Sequence, residues 1–365
     1  MKKIGIIAGI ILVTIIAGIL LMKGSRVDTE VTKQETKVGF IINGSIADGS
    51  WGQSHYEGLT KSADKLNLNI ICREEVPETE ACVEVLEELV EEGCEIIICN
   101  SFQYGEWELQ VAKEHPDVYF FHATGVTESK NMATYFGRAY QMRYLCGIVA
   151  GLQTNTNEIG YVAAFPIPEV IRGINAFTLG VRSVNPEAKV YVRWCYDWNA
   201  DDAAAMATNG LIADHDIDVL TMHTDSLEPL EIAEEKGIYS IGYNLDNSEN
   251  YPGSYLTAAV WDWEKFYTPR ILECLQGKFQ GKHYWEGADT GLVYLSPLTD
   301  NVKPGIEERV REEENRLRSG SYDVFCGPIT DSDGKVRVAE GESMTDDVML
   351  NSFTWYVEGV YVDEE

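Results

Sequence analysis

The sequence predicts an α/β protein of two similar lobes, each a parallel β-sheet covered by helices on both faces. From Lys37 onward, short apolar runs alternate with amphipathic helical stretches. One block of alternating strands and helices comes before about residue 100, and a second begins near residue 159. Apolar strands separated by helices at this spacing are typical of parallel sheets buried on both faces. The length of 365 residues also suggests more than one domain.

The first block predicts three strands and two helices. The expected order is strand Val38–Asn43, helix Ser54–Leu66, strand Leu68–Cys72, helix Glu78–Glu92 and strand Glu95–Cys99. Gly93 is expected to end the second helix, since glycine commonly follows a helix C-terminus.

The second block repeats the cycle with four strands. The expected elements are strand Ile159–Phe165, helix Glu169–Val184, strand Lys189–Trp194, helix Asp201–Asp214, strand Asp218–Met222, helix Leu227–Lys236 and strand Ile238–Tyr243. Two such blocks in one chain indicate two similar lobes.

The remainder of the chain predicts a helix over Trp263–Gln276 and a hairpin around Thr330–Lys335. The latter stretch contains Asp-Gly between two apolar runs, which is a hairpin turn signal. Its carboxylates could also be taken for a calcium loop. An EF-hand needs a twelve-residue loop between helices, so the hairpin is favoured.

The N-terminal segment predicts membrane attachment or export. Ile4–Met22 contains nineteen residues without a charge and is flanked by basic residues on both sides. It is long enough to span a bilayer, and it lacks the short apolar core and Ala-x-Ala site of a cleaved signal. We therefore favour an uncleaved anchor within residues 1–26, with a linker over 27–37 and the acidic body outside. A cleaved signal peptide and secretion remain the alternative.

Charge and cysteine content narrow the function further. The formal net charge of −30 disfavours nucleic acid as a partner, because a polyanion would be repelled. Eight cysteines could form disulfides, but a chain of this length can build a core without them. Free thiols are favoured, and no Cys/His spacing predicts a metal site.

Ligand-binding residues are expected in the loops after the strands, because open parallel sheets bind ligands at the carboxyl ends of their strands. These loops carry aromatic, carboxylate and amide side chains. Aromatic faces stack on flat ligands, and carboxylates accept hydrogen bonds from N–H groups. The candidates are Asp48, Trp51, Asn100, Phe165, Trp198, Asp225, Asp246 and Trp261.

Several segments together resemble a known family. They are GFIINGSIADGSWGQSHYEGL, YFGRAYQMRYLCGIVAG, IGYVAAFPIPEVIRGINAFTLG, IDVLTMHTDS, AAVWDWEKFY and VFCGPITDSDGKVRV. They are similar to the basic-membrane-protein family, the purine-nucleoside-receptor type of substrate-binding protein for ABC importers. The similarity covers residues 37–365.

The resemblance implies a type I periplasmic-binding fold, in which two Rossmann-like lobes joined by crossing strands close on a purine. The substrate-binding domain would be 38–365. Lobe 1 would comprise about 38–150 plus a later returning segment, and lobe 2 about 156–255 plus C-terminal parts. The implied partners are a small-molecule purine and an importer permease on the extracytoplasmic face of the membrane, with no cofactor.

The resemblance also implies roles for single residues. Trp51 matches the aromatic that stacks on the base from the first lobe, and Trp198 is the candidate for its other face. Asp246 occupies the place of an Asp that holds ribose hydroxyls. A lysine that contacts ribose in relatives is absent, and Trp261 stands in that stretch. A free base such as adenine is therefore favoured, and a nucleoside remains the alternative ligand.

An enzyme of similar architecture is the less favoured class. The sequence has no nucleophile elbow, P-loop or dinucleotide fingerprint between a strand and a helix. A ligand-sensing extracellular domain that signals through a membrane partner is a further alternative.

Overall fold

The computed structural model describes residues 35–363, and these contain two large β-sheets with helices. The strands, in chain order, are β1 Thr36–Ile41, β2 Leu68–Arg73, β3 Ile96–Cys99, β4 Tyr119–Ala123, β5 Met132–Gly137, β6 Glu158–Ala163, β7 Lys189–Trp194, β8 Val219–His223, β9 Tyr239–Asn244, β10 Tyr255–Trp261, β11 His283–Glu286, β12 Val293–Leu295, β13 Ile329–Thr330, β14 Val336–Val338 and β15 Val360–Val362.

The α-helices lie mainly between the strands. They are α1 Trp51–Leu66, α2 Cys82–Glu91, α3 Gly105–Glu114, α4 Tyr140–Gln153, α5 Pro168–Val184, α6 Asp201–Asp214, α7 Glu228–Lys236, α8 Glu264–Leu275, α9 Ile306–Arg318 and α10 Asp346–Asn351.

The first sheet has six strands in the order β11-β5-β4-β3-β1-β2, and every pairing in it is parallel. All residues of β3 and of β5 are buried. Full burial is expected of parallel strands whose two faces are both covered. The first predicted block therefore forms part of one sheet.

The second sheet has seven strands in the order β12-β10-β9-β8-β6-β7-β15. Its pairings are parallel except for that of β10 with β12. The predicted α/β fold with two sheets is confirmed. We call the first sheet with its helices lobe 1 and the second sheet with its helices lobe 2.

The chain crosses between the sheets three times in the described residues. It passes from β5 to β6, from β10 to β11 and from β11 to β12. Strand β11 thus returns to lobe 1 after lobe 2 has largely been built. Three separate segments of the chain therefore connect the two lobes.

Helices α4 and α5 pack against each other unusually closely. A Cβ atom added at Gly147 would lie 2.0 Å from the carbonyl oxygen of Phe177, and one added at Gly180 would lie 2.0 Å from that of Tyr144. Any side chain at either position would therefore force the two backbones apart. The two glycines permit direct contact between helix backbones in lobe 2.

Two predicted helix starts shift in the structure. Helix α1 begins at Trp51, because Asp48 accepts the free N–H groups of the first turn. Helix α2 begins at Cys82, four residues after the predicted Glu78. Glu78 instead accepts hydrogen bonds from Asn43 Nδ2 at 3.3 Å and from the Ser101 hydroxyl.

The predicted hairpin is confirmed, since β13 and β14 pair antiparallel across Thr330–Lys335. The Asp331 carboxylate accepts from the backbone N–H of Asp333 at 3.0 Å and of Lys335 at 2.8 Å, and from Arg337 Nε at 2.5 Å. These internal bonds use the oxygens that a calcium ion would need. Within residues 35–363, no group of three or more His, Cys, Asp or Glu could hold a metal ion.

All eight cysteines lie in the described part of the chain and are free. Cys99 is fully buried in lobe 1 beside Glu108, which is itself completely buried. Burial raises the pKa of Glu108 well above its usual value. The core of lobe 1 therefore contains a carboxyl group that favours its neutral form.

The predicted anchor, Ile4–Met22, lies outside the described residues. Between residues 35 and 363 there is no helix long and apolar enough to cross a membrane.

Candidate ligand-binding site

The two lobes meet where the carboxyl ends of their strands face each other, and Asn244 is the centre of that contact. Its Nδ2 donates to Ser50 Oγ of lobe 1 at 3.0 Å and to Asp225 Oδ1 of lobe 2 at 2.8 Å. Its Oδ1 accepts from the Trp261 indole at 2.8 Å. Nearby, Asn247 Nδ2 donates to the Gly49 carbonyl at 3.1 Å. Direct hydrogen bonds therefore join the lobes.

An aromatic cluster lies beside this contact. The indole planes of Trp261 and Trp263 stack with centroids 4.7 Å apart and an interplanar angle of 16°. Trp51 meets both of them edge-on, at 5.8 Å and 5.5 Å. Its Nε1–H donates to the Asn100 carbonyl at 2.9 Å. The structure thus brings the predicted residues Trp51, Asn100 and Trp261 together and fixes the orientation of Trp51.

Asn100 is buried with one hydrogen-bonding group unused. Its Oδ1 accepts from the backbone N–H of Asn43 at 3.4 Å, which orients the amide. Its Nδ2 has no partner among the described residues, and the side chain is fully buried. A buried donor without a partner destabilises a protein by about 1–3 kcal/mol. A ligand that offers an acceptor to Nδ2 would remove this cost.

The predicted residue Asp48 belongs to the same loop as Ser50, but its carboxylate is already occupied. Its two oxygens accept from the backbone N–H groups of Ser50, Gly52 and Gln53 at 2.8–3.0 Å. Those N–H groups begin helix α1, where a negative charge is stabilising. The structural role of Asp48 is thus to shape the loop that presents Trp51.

Lobe 2 presents a second aromatic group. The rings of Phe165 and Trp198 lie 6.0 Å apart, and both are half-buried. The Trp198 carbonyl accepts from the backbone N–H of Asp225 at 2.8 Å and from the Thr224 hydroxyl at 2.6 Å. Within residues 35–363 no ring contact joins Trp198 to Trp51. The two predicted stacking residues therefore do not contact each other directly, and the rings of Trp261, Tyr243 and His223 lie between them.

Asp225 supplies the carboxyl group closest to the contact between the lobes. Burial raises its pKa well above the usual value, and the charges of Asp48 and Glu169 act in the same direction. Hydrogen bonds from Asn244 and Ser50 oppose this shift. The Asp225 carboxyl group therefore favours its neutral form more than an exposed Asp does.

Asp246 is the predicted residue that the structure does not bring to this cluster. Its side chain is exposed, and Oδ1 accepts from the backbone N–H of Ser248 at 3.0 Å. Asn244, two residues earlier, takes the place expected for it. Asn244 has a φ of 67°, a left-handed conformation that Asn tolerates better than most residues. Nothing in the sequence pattern distinguishes it from its neighbours.

Sequence reasoning also missed a buried polar group behind Trp198. Arg143 is fully buried, donates to the Met222 carbonyl at 2.7 Å and lies 3.9 Å from the centroid of the Tyr243 ring. His223 Nε2 lies 3.5 Å from Glu169 Oε1. The available signal was the position of His223 at the end of β8 and of Glu169 in the first turn of α5, just after the loop that follows β6.

Aromatic and polar side chains of both lobes thus meet at one place, and comparison with known sequences identifies the family of the chain. Residues 35–322 match the family described as ABC transporter substrate-binding protein, PnrA-like. The chain belongs to this family. It is thus an extracytoplasmic substrate-binding protein of the PnrA-like type, as the motifs predicted.

Two relatives illustrate the range of ligands in similar proteins. The PnrA-like chain is 34% identical over 330 residues to a purine-binding protein of Brucella abortus, covering 90% of this chain and 93% of that one. It is 37% identical over 276 residues to a protein of Haloferax volcanii described by name as a putative ABC transporter glucose-binding protein, covering 76% and 68% of the two chains.

Solved structures agree on the fold. A transcriptional activator of the comK gene from Bacillus halodurans gives a TM-score of 0.69 at 22% identity, covering 79% of this chain and 99% of that one. A solute-binding protein of an ABC transporter system from Aeropyrum pernix gives 0.68 at 16% identity, covering 86% and 95%. The type I periplasmic-binding fold is thereby confirmed.

Proposed function

We propose that this PnrA-like protein captures a purine, with adenine preferred, between its two lobes and delivers it to the permease of an ABC importer. The observation that carries the proposal is the pair of aromatic clusters, Trp51 with Trp261 in one and Phe165 with Trp198 in the other, each beside polar groups. Flat faces from two lobes suit a planar heterocycle. The purine-binding relative from Brucella abortus supports the same ligand class.

The polar groups around the clusters are complementary to a purine edge. Asn100 Nδ2 is a buried donor without a partner among the described residues, and Asp225 is an acceptor in lobe 2. A purine has both ring acceptors and N–H donors, so it can pair with both groups. Closure of the lobes around the base would then satisfy Asn100.

Two features support a free base over a nucleoside. Asp246, the expected ribose partner, is exposed and bonded to its own loop. Trp261 is buried and its indole N–H is already bonded to Asn244. Ribose would bring hydroxyls that each cost about 1–3 kcal/mol if buried without a partner. We expect adenine to bind at least about 10-fold more tightly than adenosine, a difference of about 1.4 kcal/mol.

A sugar is the second candidate ligand, because the relative from Haloferax volcanii has the higher identity, 37%. Aromatic faces next to carboxylate and amide groups also suit a pyranose ring. The two ligands differ in that a sugar offers hydroxyls all round its ring, whereas a purine has two flat faces. Glucose therefore belongs in any panel of test ligands.

The second candidate function is ligand sensing, in which the loaded protein signals through a membrane partner instead of delivering the ligand to a permease. The chain is 24% identical over 302 residues to a transcriptional activator protein of Bacillus subtilis, covering 93% of that protein. Delivery predicts that the full chain stimulates purine uptake by vesicles that contain its permease and ATPase. Sensing predicts ligand binding without any uptake.

Membrane attachment through residues 4–22 is part of the proposal, with 27–37 as the tether and 38–365 as the binding domain. Its support is the uncharged stretch of nineteen residues. Fractionation of cells that produce the full chain should find it in the membrane. Its release into the medium would instead indicate a cleaved signal.

Calorimetry on the full chain tests the ligand. It is titrated with adenine, guanine, hypoxanthine, adenosine, guanosine and glucose, and the ligand recovered afterwards is analysed for chemical change. Saturable binding of adenine with unaltered ligand supports the proposal. Tighter binding of the nucleosides would reverse the base assignment, and binding of glucose alone would replace the purine by a sugar.

A further inference from the structure

Lobe 2 contains a further carboxylate at the cleft, in addition to Asp225. Glu169 lies in the first turn of α5, four residues after Phe165. Its side chain keeps 23% of its surface exposed, whereas that of His223 beside it keeps 3%. His223 Nε2 lies 3.5 Å from Glu169 Oε1 and has no hydrogen-bond partner among the described residues. Because a carboxylate has about four acceptor sites, most of the capacity of Glu169 is unused by His223.

His223 lies beside Glu169 and carries no positive charge near pH 7 that would neutralise the carboxylate. Burial lowers the pKa of His223 to about 4, and the charge of Arg143 acts in the same direction, so the imidazole is neutral near pH 7. Its Nδ1 lies 3.1 Å from the Tyr161 hydroxyl. If that hydroxyl donates, the remaining imidazole proton is on Nε2 and faces Glu169. The ring is also held 4.7 Å from that of Tyr243.

Glu169 and Asp225 are both carboxyl groups of lobe 2, but their hydrogen bonding differs. Burial is the main cause of the raised pKa of Asp225, and the charges of Asp48 and Glu169 add to it. Asp225 receives hydrogen bonds from Asn244 at 2.8 Å and from Ser50 Oγ at 3.5 Å. Among the described residues, no side chain donates a hydrogen bond to Glu169, and His223 Nε2 lies 3.5 Å from its Oε1. The unused acceptor sites of Glu169 suit a ligand N–H donor, and an amino group on an aromatic ring has two N–H groups.

We infer that Glu169 determines specificity in the cleft, by accepting a hydrogen bond from the exocyclic amino group of an aminopurine. This inference rests on the proposed purine function and adds the group that selects among purines. Asn100 of lobe 1 supplies a donor and Glu169 of lobe 2 an acceptor. The cleft then favours a base with an acceptor on one edge and an amino group on the other.

The test compares adenine with N6,N6-dimethyladenine, in which methyl groups replace both amino hydrogens. Calorimetry is done on the full chain and on Glu169→Met, which keeps the side-chain length and removes both acceptors. Adenine affinity should fall about 10-fold or more, equivalent to about 1.4 kcal/mol. Affinity for the dimethyl compound should change less than about twofold. Glu169→Gln should lose less for adenine, because its amide oxygen still accepts.

Glu228→Met is the matched control, because Glu228 lies in the first turn of α7 and is also half-buried in lobe 2. It should leave the affinity for both compounds unchanged. Thermal unfolding of the ligand-free variants checks that each one folds.

The outcomes separate the inference from the proposed function. Unchanged adenine affinity in Glu169→Met would overturn the role of Glu169 and leave purine binding intact. Equal losses for both compounds would also overturn it, since they would indicate a general disturbance of the cleft. Failure of the parent chain to bind any purine would overturn the proposed function itself, before any variant is measured.

Discussion

Removing the Trp51 side chain is the sharpest test of the binding cleft. Trp51 is half-buried, its indole N–H is bonded to the Asn100 carbonyl at 2.9 Å, and its ring edge meets Trp261 and Trp263. A base stacked on an aromatic side chain gains about 1–3 kcal/mol. Trp51→Ala should therefore weaken adenine binding by roughly 10-fold to 100-fold, at about 1.4 kcal/mol per factor of ten.

Two further variants separate stacking from the rest of the environment. Trp51→Phe keeps an aromatic face but leaves the Asn100 carbonyl without its indole donor, at a cost of about 1 kcal/mol in stability. Its adenine affinity should stay nearer to that of the parent than to that of Trp51→Ala. Trp107 is the control, since it is a half-buried tryptophan of lobe 1 that packs on another part of the core.

The assay is calorimetry with adenine on the three variants and the parent, after thermal unfolding has shown that each is folded. Trp107→Ala should bind as the parent does. If Trp51→Ala retains the parent affinity, the base does not stack on Trp51 and the assignment of lobe 1 must be abandoned.

The remaining predictions concern polar contacts, closure and pH. Asp225→Ala should weaken adenine binding about 10-fold, because a ligand N–H loses its acceptor; parent-like calorimetry would remove Asp225 from the site. Saturating adenine should raise the melting temperature and compact the particle in small-angle scattering, because both lobes hold the ligand; identical scattering curves would contradict closure. Burial raises the pKa of Glu108, so the folded protein holds a proton that the unfolded chain releases, and stability should fall as pH rises above the ordinary pKa of a glutamate, about 4.3. Glu108→Gln should flatten that slope in urea unfolding, and an unchanged slope would show that Glu108 is not its source.

The pattern of strands and helices was predictable because each element carries a local signal. Strand β3 is a continuous apolar run, and helix α2 has a clear apolar face. Helix α4 was not predicted, and nearly all its residues are buried. A helix that is buried on all sides has no amphipathic period to detect. Strand β11 pairs with β5, about 150 residues earlier in the chain, which no local signal reveals.

The site was predictable to the extent that it lies at strand ends. Trp51, Asn100 and Trp261 come together because their strands end at the same side of their sheets. Asp246 was expected at the ligand from the family resemblance, whereas the structure leaves it exposed and brings Asn244, the last residue of β9, to the contact between the lobes. The path of the loop after a strand is not set by a local pattern. Glu169 and His223 were in recognised loops, but their pairing depends on the three-dimensional path of α5 and β8.

The backbone contact between α4 and α5 has a mechanical consequence. Helices that touch at Gly147 and Gly180 cannot slide past each other without steric clash, so lobe 2 should move as a stiff body. Bending is then confined to the three segments that pass between the sheets. Spectroscopic labels on any rigid part of lobe 1 and any rigid part of lobe 2 should therefore report the same opening angle. A larger side chain at Gly180 would force α4 and α5 apart. The measured angle would then depend on the positions of the labels within lobe 2.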